Sequence, residues 1–391
     1  MKDTYRQSPS RSWRGEASGD IGVNGPTKID RTDTVRMSRY AQLVALSGTQ
    51  TVIDDGKRAS SGCLRCTLCD LAFKDSLALV QHLSSEAHRQ RSGQLEEPLL
   101  LLRTSDGSSR PTLISPMPPG ATLKMLDAHC HFSSAFVGTW FRPDHVYLLN
   151  ATDPTQFEDL AEFRRIHPLS VRVGYGVHPY YLHMHPDLAA TLAEVRARLA
   201  ADQTAFVGEI GLDTRPAALA DSPLDTQTRY FSPQLEMAFE MNRDCNVHII
   251  SRKPGLWPIF TEQLEAMARK YASYNRSIIM HSYNGTHETF RKLQAAVSTC
   301  HGRVLLSVSH FTEANKATRA CIRKSDKECL LLETDWYRED QDDWDRSMAT
   351  AIEVLASERS LSRDEALSLV RDNWRRHELL PPGLSAAQLG M

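Results

Sequence analysis

The chain has no apolar run approaching the roughly eighteen residues of a membrane-spanning helix, so no membrane span is expected. It also lacks a charge imbalance. Lys and Arg number 46 against 48 Asp and Glu, a formal net charge of -2, so any attraction to nucleic acid must be local. The first forty residues hold no apolar core of a secretory signal. Asp3, Glu16, Asp20, Asp30 and Asp33 are out of place in an organelle transit peptide. A disulfide framework is missing too. Eight cysteines over 391 residues, three of them within Cys63–Cys69, point to metal ligation in a reducing compartment, and so to an intracellular protein of nucleus or cytoplasm.

What is present divides the chain. Residues 1–57 are rich in Ser, Arg, Gly, Asp and Thr without sustained periodicity and are expected to be mostly disordered, with a short helix over Met37–Leu46. Residues 58–92 contain Cys66, Cys69, His82 and His88 in the spacing C-x2-C-x12-H-x5-H, with Phe73 and Leu79 at the two core offsets. Four soft ligands around two apolar anchors resemble a ββα zinc finger of the two-Cys, two-His class, with one structural zinc. Counted back from His82, its base-reading helix positions fall on Asp75, Ala78 and Gln81. None is Arg or Lys, which argues against sequence-specific DNA reading. The five-residue gap between the histidines resembles fingers that contact double-stranded RNA or protein. Lys57, Arg58, Arg65, Lys74, Arg89 and Arg91 would serve phosphate contacts. Residues 93–121 are turn-rich around the apolar run Leu99–Leu102 and read as a linker with room for one hairpin.

From about residue 122 to 385 the pattern changes. Short apolar runs at 123–126, 145–149, 171–176, 204–208, 245–250, 277–280, 303–308 and 329–333 alternate with amphipathic segments at 155–166, 186–201, 227–243, 257–271, 286–299, 312–325, 339–357 and 363–379. Strand and helix alternating eight times fit a (β/α)8 barrel, an α/β fold, better than an open sheet. Such barrels carry their chemistry where the strands run out. Here those ends read Asp127, His129 and His131; His178; Glu209; His248; His281; and Asp335. If residues 127–131 extend the first strand, His129 and His131 share a side, about 6–7 Å apart along the backbone, and suit a divalent metal such as zinc. Several histidines with two carboxylates suffice for a two-metal site bridged by a carboxylate and a water.

The segments D-A-H-C-H (127–131), G-V-H-P (176–179), G-E-I-G-L-D (208–213), H-S-Y-N-G-T (281–286) and E-T-D (333–335) resemble the successive motifs of the TatD family of metal-dependent deoxyribonucleases. Gln227, Phe231, Gln234 and Leu235 fit its spacing before strand 5, which puts His248 at the ligand position. Departures are Asp244 for a usual Pro, Ser251-Arg252 displaced from the histidine, and Trp336-Tyr337 where a Pro often follows E-T-D. The resemblance implies one divalent cation (Zn, Mn or Mg) held by His129, His131, Glu209 and Asp335. It implies a second held by Glu209, His248 and His281, with Glu209 bridging. Asp335 and Glu209 would serve catalysis, Asp335 also taking the proton of the attacking water, and His178 would touch the scissile phosphate. Glu333, Asn373, Asp213 and Asp127 are expected to be supporting groups. Cys130 is expected to face away, and His183, His185, His287, His301, His310 and His377 to be loop, surface or cap residues.

The leading expectation is therefore a DNA phosphodiester hydrolase carrying an accessory finger for RNA or a protein partner. An amidohydrolase or aminoacyl-tRNA deacylase on the same barrel is an alternative, since fold does not fix substrate. A catalytically inactive binding protein acting through the finger is another, though a binding module has no need of a complete ligand set.

Overall fold

The computed structural model describes residues 64–66, 71–73, 99–103, 109–113, 122–133, 141–251, 255–337, 343–385 and 387–388. At the N-terminal end, β1 (Leu64–Cys66) and β2 (Leu71–Phe73) pair antiparallel with Leu64 opposite Phe73. Cys66 ends β1. Cys69, His82, His88 and the helix proposed over Met37–Leu46 lie outside the described residues. β3 (Leu99–Arg103) and β4 (Ser109–Leu113) form an antiparallel hairpin in the turn-rich stretch.

Eight parallel strands follow: β5 (Met125–His131), β6 (His145–Asn150), β7 (Val171–Tyr175), β8 (Phe206–Asp213), β9 (Cys245–Ile250), β10 (Ser277–Met280), β11 (Arg303–Val308) and β12 (Leu330–Leu332). Each neighbours the next in sequence order. Between and after them run α1 (Phe157–Ile166), α2 (Leu188–Ala201), α3 (Pro216–Asp221), α4 (Leu224–Glu240), α5 (Leu256–Lys270), α6 (His287–Ala296), α7 (Lys316–Lys324), α8 (Trp344–Arg359) and α9 (Arg363–Arg376). The arrangement is the expected TIM-like barrel. β6, β7 and β8 are buried at every position, so their runs are mainly apolar without alternation, as in strands covered on both faces, and the polar residues they hold are buried too. The helices start on their own signals. Asp187 caps α2, Asn315 caps α7, and Ser362 with Glu365 forms a capping box on α9. The short α3 has no counterpart among the expected segments, and α4 begins at Leu224 rather than 227.

The segment after β12 bonds back to β5 across the gap in the ring. The His131 N–H donates to the Trp336 carbonyl and the Asp335 N–H to the His129 carbonyl, both at 2.9 Å. Asp127 reinforces this seam by accepting from Thr334 N, Thr334 Oγ1 and Trp344 Nε1 at 3.0, 2.7 and 2.8 Å. Burial lifts its carboxyl to about 7, against the pull of those donors.

The floor, where strands begin, carries a buried ion pair. Arg172 donates to Asp244 Oδ2 at 2.8 Å, to the Thr204 carbonyl at 2.9 Å and to the Leu379 carbonyl at 3.1 Å. The other Asp244 oxygen accepts from Ser277 N at 3.0 Å. Just before β7, His167 lies between the rings of Phe141 and Phe163, and neither ring nitrogen has a hydrogen-bond partner. Burial pushes its pKa down to about 3. Among the described residues, no helix is long and apolar enough to cross a membrane.

Candidate active site

Alternation along β5 puts His129 and His131 on one side, with their Nε2 atoms 3.2 Å apart. Glu209 lies on β8 and His248 on β9, while His178, His281 and Asp335 directly follow β7, β10 and β12. The parallel ladder shifts register between Asp127 and Cys130 and again between Val207 and Ile210. His129 and Glu209 sit at these two irregularities, the kind of local kink that re-aims a side chain. At Gly211 a Cβ would lie 1.9 Å from the His248 carbonyl oxygen, so glycine is required for β8 and β9 to approach this closely.

All six expected ligands and His178 meet at one mouth. In the first set, Glu209 Oε2 is 3.5 Å from His129 Nε2 and 3.3 Å from His131 Nε2. Asp335 Oδ1 is 3.6 Å from each of the same two nitrogens. In the second set, Glu209 Oε1 is 2.9 Å from both His248 Nδ1 and His281 Nε2, which stand 2.8 Å apart. With metal–ligand bonds of about 2.1 Å, tetrahedral neighbours stand about 3.4 Å apart and octahedral neighbours about 3.0 Å. Both sets have spacings a divalent cation accepts, and one carboxylate supplies an oxygen to each.

The hydrogen bonds around the imidazoles decide which nitrogen is bare. Asn246 donates its amide to the Ala128 carbonyl at 2.9 Å, so its oxygen faces His129 Nδ1 at 3.1 Å and takes the proton there. That leaves His129 Nε2 as a lone pair. Asp213 Oδ2, 3.2 Å from His248 Nε2, does the same for His248 and leaves its Nδ1 bare. Neither Glu209 oxygen accepts a well-formed hydrogen bond, although the side chain is only 1% exposed. A buried carboxylate facing the lone pairs of His129 and His248 is costly alone and well matched to cations. The donor set fits the expected metals.

Electrostatics agree. Burial would raise the Glu209 carboxyl, but His178, His281 and His129 override it and hold it well below the usual carboxylate range. Asp335 is likewise held down by His131, His281 and His129 against its burial. His281 is lifted by Glu209 and Asp335 despite burial. Asp335 also adopts a left-handed backbone at φ 51°, fixed by its N–H bond to β5 and by the Ser282 hydroxyl donating to its Oδ2 at 3.1 Å. His178 differs. Tyr180 N donates to its Nδ1 at 3.2 Å, so Nε2 carries the proton and points at Glu209 Oε1, 3.4 Å away. Burial pushes its pKa down to about 4, so it is a neutral donor.

Around these lie the supporting groups. Arg215 donates to Asp213 at 2.8 Å, and the Glu333 carboxylate accepts from the Ser282 N–H. Asn373 fastens the start of β12 through the Lys327 and Leu330 carbonyls. Cys130 is fully buried, and burial raises its thiol pKa. His183 and His301 are exposed, and His377 caps α9, bonding the Glu328 carbonyl at 2.7 Å. Sequence reading missed Asn246, Ser282 and Arg215. Of these Asn246 had a signal in its place two residues before His248 on the same strand face, and Ser282 in its place within H-S-Y-N-G-T.

Comparison with known proteins gives two family matches. The model described as TatD related DNase matches residues 126–377, and that described as zinc-finger double-stranded RNA-binding matches residues 63–89. The fold is similar to that of a TatD homologue from Escherichia coli K12 at 20% identity and TM-score 0.51, covering 66% of this chain and 97% of that one. It is also similar to an uncharacterized amidohydrolase from Saccharomyces cerevisiae at 14% identity and TM-score 0.50, covering 65% and 99%. No curated protein matches the chain.

Proposed function

The chain belongs to the TatD-related DNase family of metal-dependent hydrolases, and on that premise we propose that it cleaves phosphodiester bonds in DNA with two divalent cations at the barrel mouth. The observation that carries this is Glu209, buried, ionised and presenting one oxygen to His129 and His131 and the other to His248 and His281. His129, His131, Glu209 and Asp335 would hold one cation, and Glu209, His248 and His281 the other. Bound there, the cations supply Lewis acidity towards a phosphoryl oxygen and a water. The protein's own groups do the rest. Asp335, with Oδ2 held by the Ser282 hydroxyl, would orient the attacking water and accept its proton. His178 donates from Nε2 to a non-bridging phosphate oxygen, which stabilises charge as it builds during in-line displacement. Asn246 and Asp213 keep the ligating nitrogens deprotonated and aimed. The finger serves as an accessory nucleic-acid module, a role supported by the description of its family model.

The test is turnover of labelled DNA by metal-loaded protein. Asp335→Asn and Glu209→Gln should each lower the rate by about a thousandfold or more while the protein stays folded, the loss typical of groups acting in the transition state. Cys66→Ser should leave the chemical step intact. Undiminished cleavage after metal removal would overturn the proposal. Turnover of a charged tRNA or an amide with no cleavage of DNA would move the substrate while keeping the site.

A further inference from the structure

Beyond the buried Arg172–Asp244 pair, the outer edge of the floor holds a cavity of about 250 Å³. It opens where β11 and β12 begin, between the end of α6 and the residue after α9, so it lies at the other end of the strands from His281 and Asp335. None of its lining residues belongs to the donor sets at the mouth. Val297, Val304, Leu305 and Cys329 give it a buried apolar wall. Sites for small molecules have this form, an apolar concavity with a few polar groups that fix orientation.

Two of the charges around it are unmatched. Arg303 spends Nη1 on the Asn275 carbonyl at 3.2 Å and has no carboxylate partner among the described residues. Asp326 takes the Glu328 N–H on Oδ1 at 3.2 Å, and no cation answers its charge among those residues. Glu328, by contrast, is paired with Arg376 at 3.1 Å. A cation and a carboxylate thus line the same cavity without meeting each other. His377 adds an acceptor. Its Nε2 faces the Glu328 carbonyl at 2.7 Å and must carry the proton, so Nδ1 is a lone pair. That atom has no hydrogen-bond partner, although the residue is only 6% exposed. Burial holds its pKa below the usual histidine value, and Arg303 and Arg376 push the same way, so the ring stays neutral.

We propose that this cavity binds a free α-amino acid with a short apolar side chain, its carboxylate on Arg303, its ammonium on Asp326 and His377 Nδ1, and its side chain against Val297, Val304 and Leu305. A guanidinium fork matches a carboxylate in both shape and charge. An ammonium offers three N–H donors, enough for a carboxylate and an imidazole lone pair together. A simple anion would meet Asp326 and Glu328, a simple amine would meet Arg303 and Arg376, and neither would answer both unmatched charges. Occupancy here is independent of what the mouth hydrolyses.

Titration calorimetry and thermal melting of the full-length protein with leucine, valine and methionine test this. At least one should bind saturably, one per chain, and raise the melting temperature, because a ligand of the folded state stabilises it. Isocaproate and isoamylamine each keep the leucine side chain but only one of its charges. Both should bind about tenfold more weakly or worse, the loss of a charge-assisted hydrogen bond. Arg303→Met and Asp326→Asn should each weaken binding to the same degree without lowering the melting temperature of the free protein, since both side chains reach solvent. Glu209→Gln should bind the amino acid as wild type does, which separates this cavity from chelation by metal at the mouth. No saturable binding, equal binding of either singly charged analogue, full binding by Arg303→Met and Asp326→Asn, or loss of binding in Glu209→Gln would each overturn the proposal.

Discussion

The two ends of the barrel bury charge in opposite ways. On the floor, Arg172 and Asp244 meet at 2.8 Å, and their remaining hydrogen bonds go to fixed backbone groups. At the mouth, Glu209 is just as deeply buried, yet neither of its oxygens accepts a well-formed hydrogen bond, and imidazole nitrogens crowd it and each other. The floor is electrostatically complete within the protein. The mouth is complete only with something positive added. Charge that is fully answered stabilises the fold, and charge left unanswered is available for binding and chemistry.

The sharpest way to break this contrast is to cut the floor pair. Arg172→Met leaves Asp244 buried without its cation and should cost about 3–5 kcal/mol of unfolding free energy in urea, with the rate per folded molecule unchanged. A matching loss of specific activity would mean that the two ends are coupled. At the mouth, Asn246→Ala removes the group that fixes the His129 proton, and metal affinity measured by titration calorimetry should fall about 10–100-fold. Unfolding free energy without metal should fall by about 1–3 kcal/mol, because the buried Ala128 carbonyl loses its donor. If affinity holds, the tautomer argument for His129 is wrong.

The smallest expected effect lies in acid and comes from the floor. His167 titrates near 6.5 when unfolded and near 3 when folded, so between those values the unfolded chain binds the extra proton. Stability should therefore fall as pH drops through that window, by about 1.4 kcal/mol per unit. Against His167→Phe, wild type should be about 2 kcal/mol worse off at pH 5 than at pH 7. Parallel pH profiles for the two proteins would rule His167 out as the acid-sensitive group.

Much of this was legible in the chain. Each of the eight apolar runs became a strand, because a strand covered on both faces needs an apolar stretch and little else does at that length. The ligand positions were legible because chemistry constrains residue type at strand ends. The partners that tune them were not. Asn246, Ser282 and Arg215 are ordinary polar residues whose meaning comes from a neighbour supplied by another element: Asn246 reaches back across the barrel to His129 and Ala128, and Ser282 reaches Asp335. The helix α3 escaped because six residues are too few to show a period. The finger was legible from spacing alone, and residues 63–89 match a finger family.

The seam between β5 and the segment after β12 has a consequence for how activity is acquired. The carbonyl of His129 and the N–H groups of His131 and Asp335 hold the ring shut, so the residues that would perform the chemistry also complete the architecture. A growing or truncated chain that has made His129 and Glu209 but not Asp335 has neither a closed ring nor a finished donor set. Hydrolytic capacity would arrive all at once and late, when the final strand docks, which guards against a half-made enzyme loose in the cell.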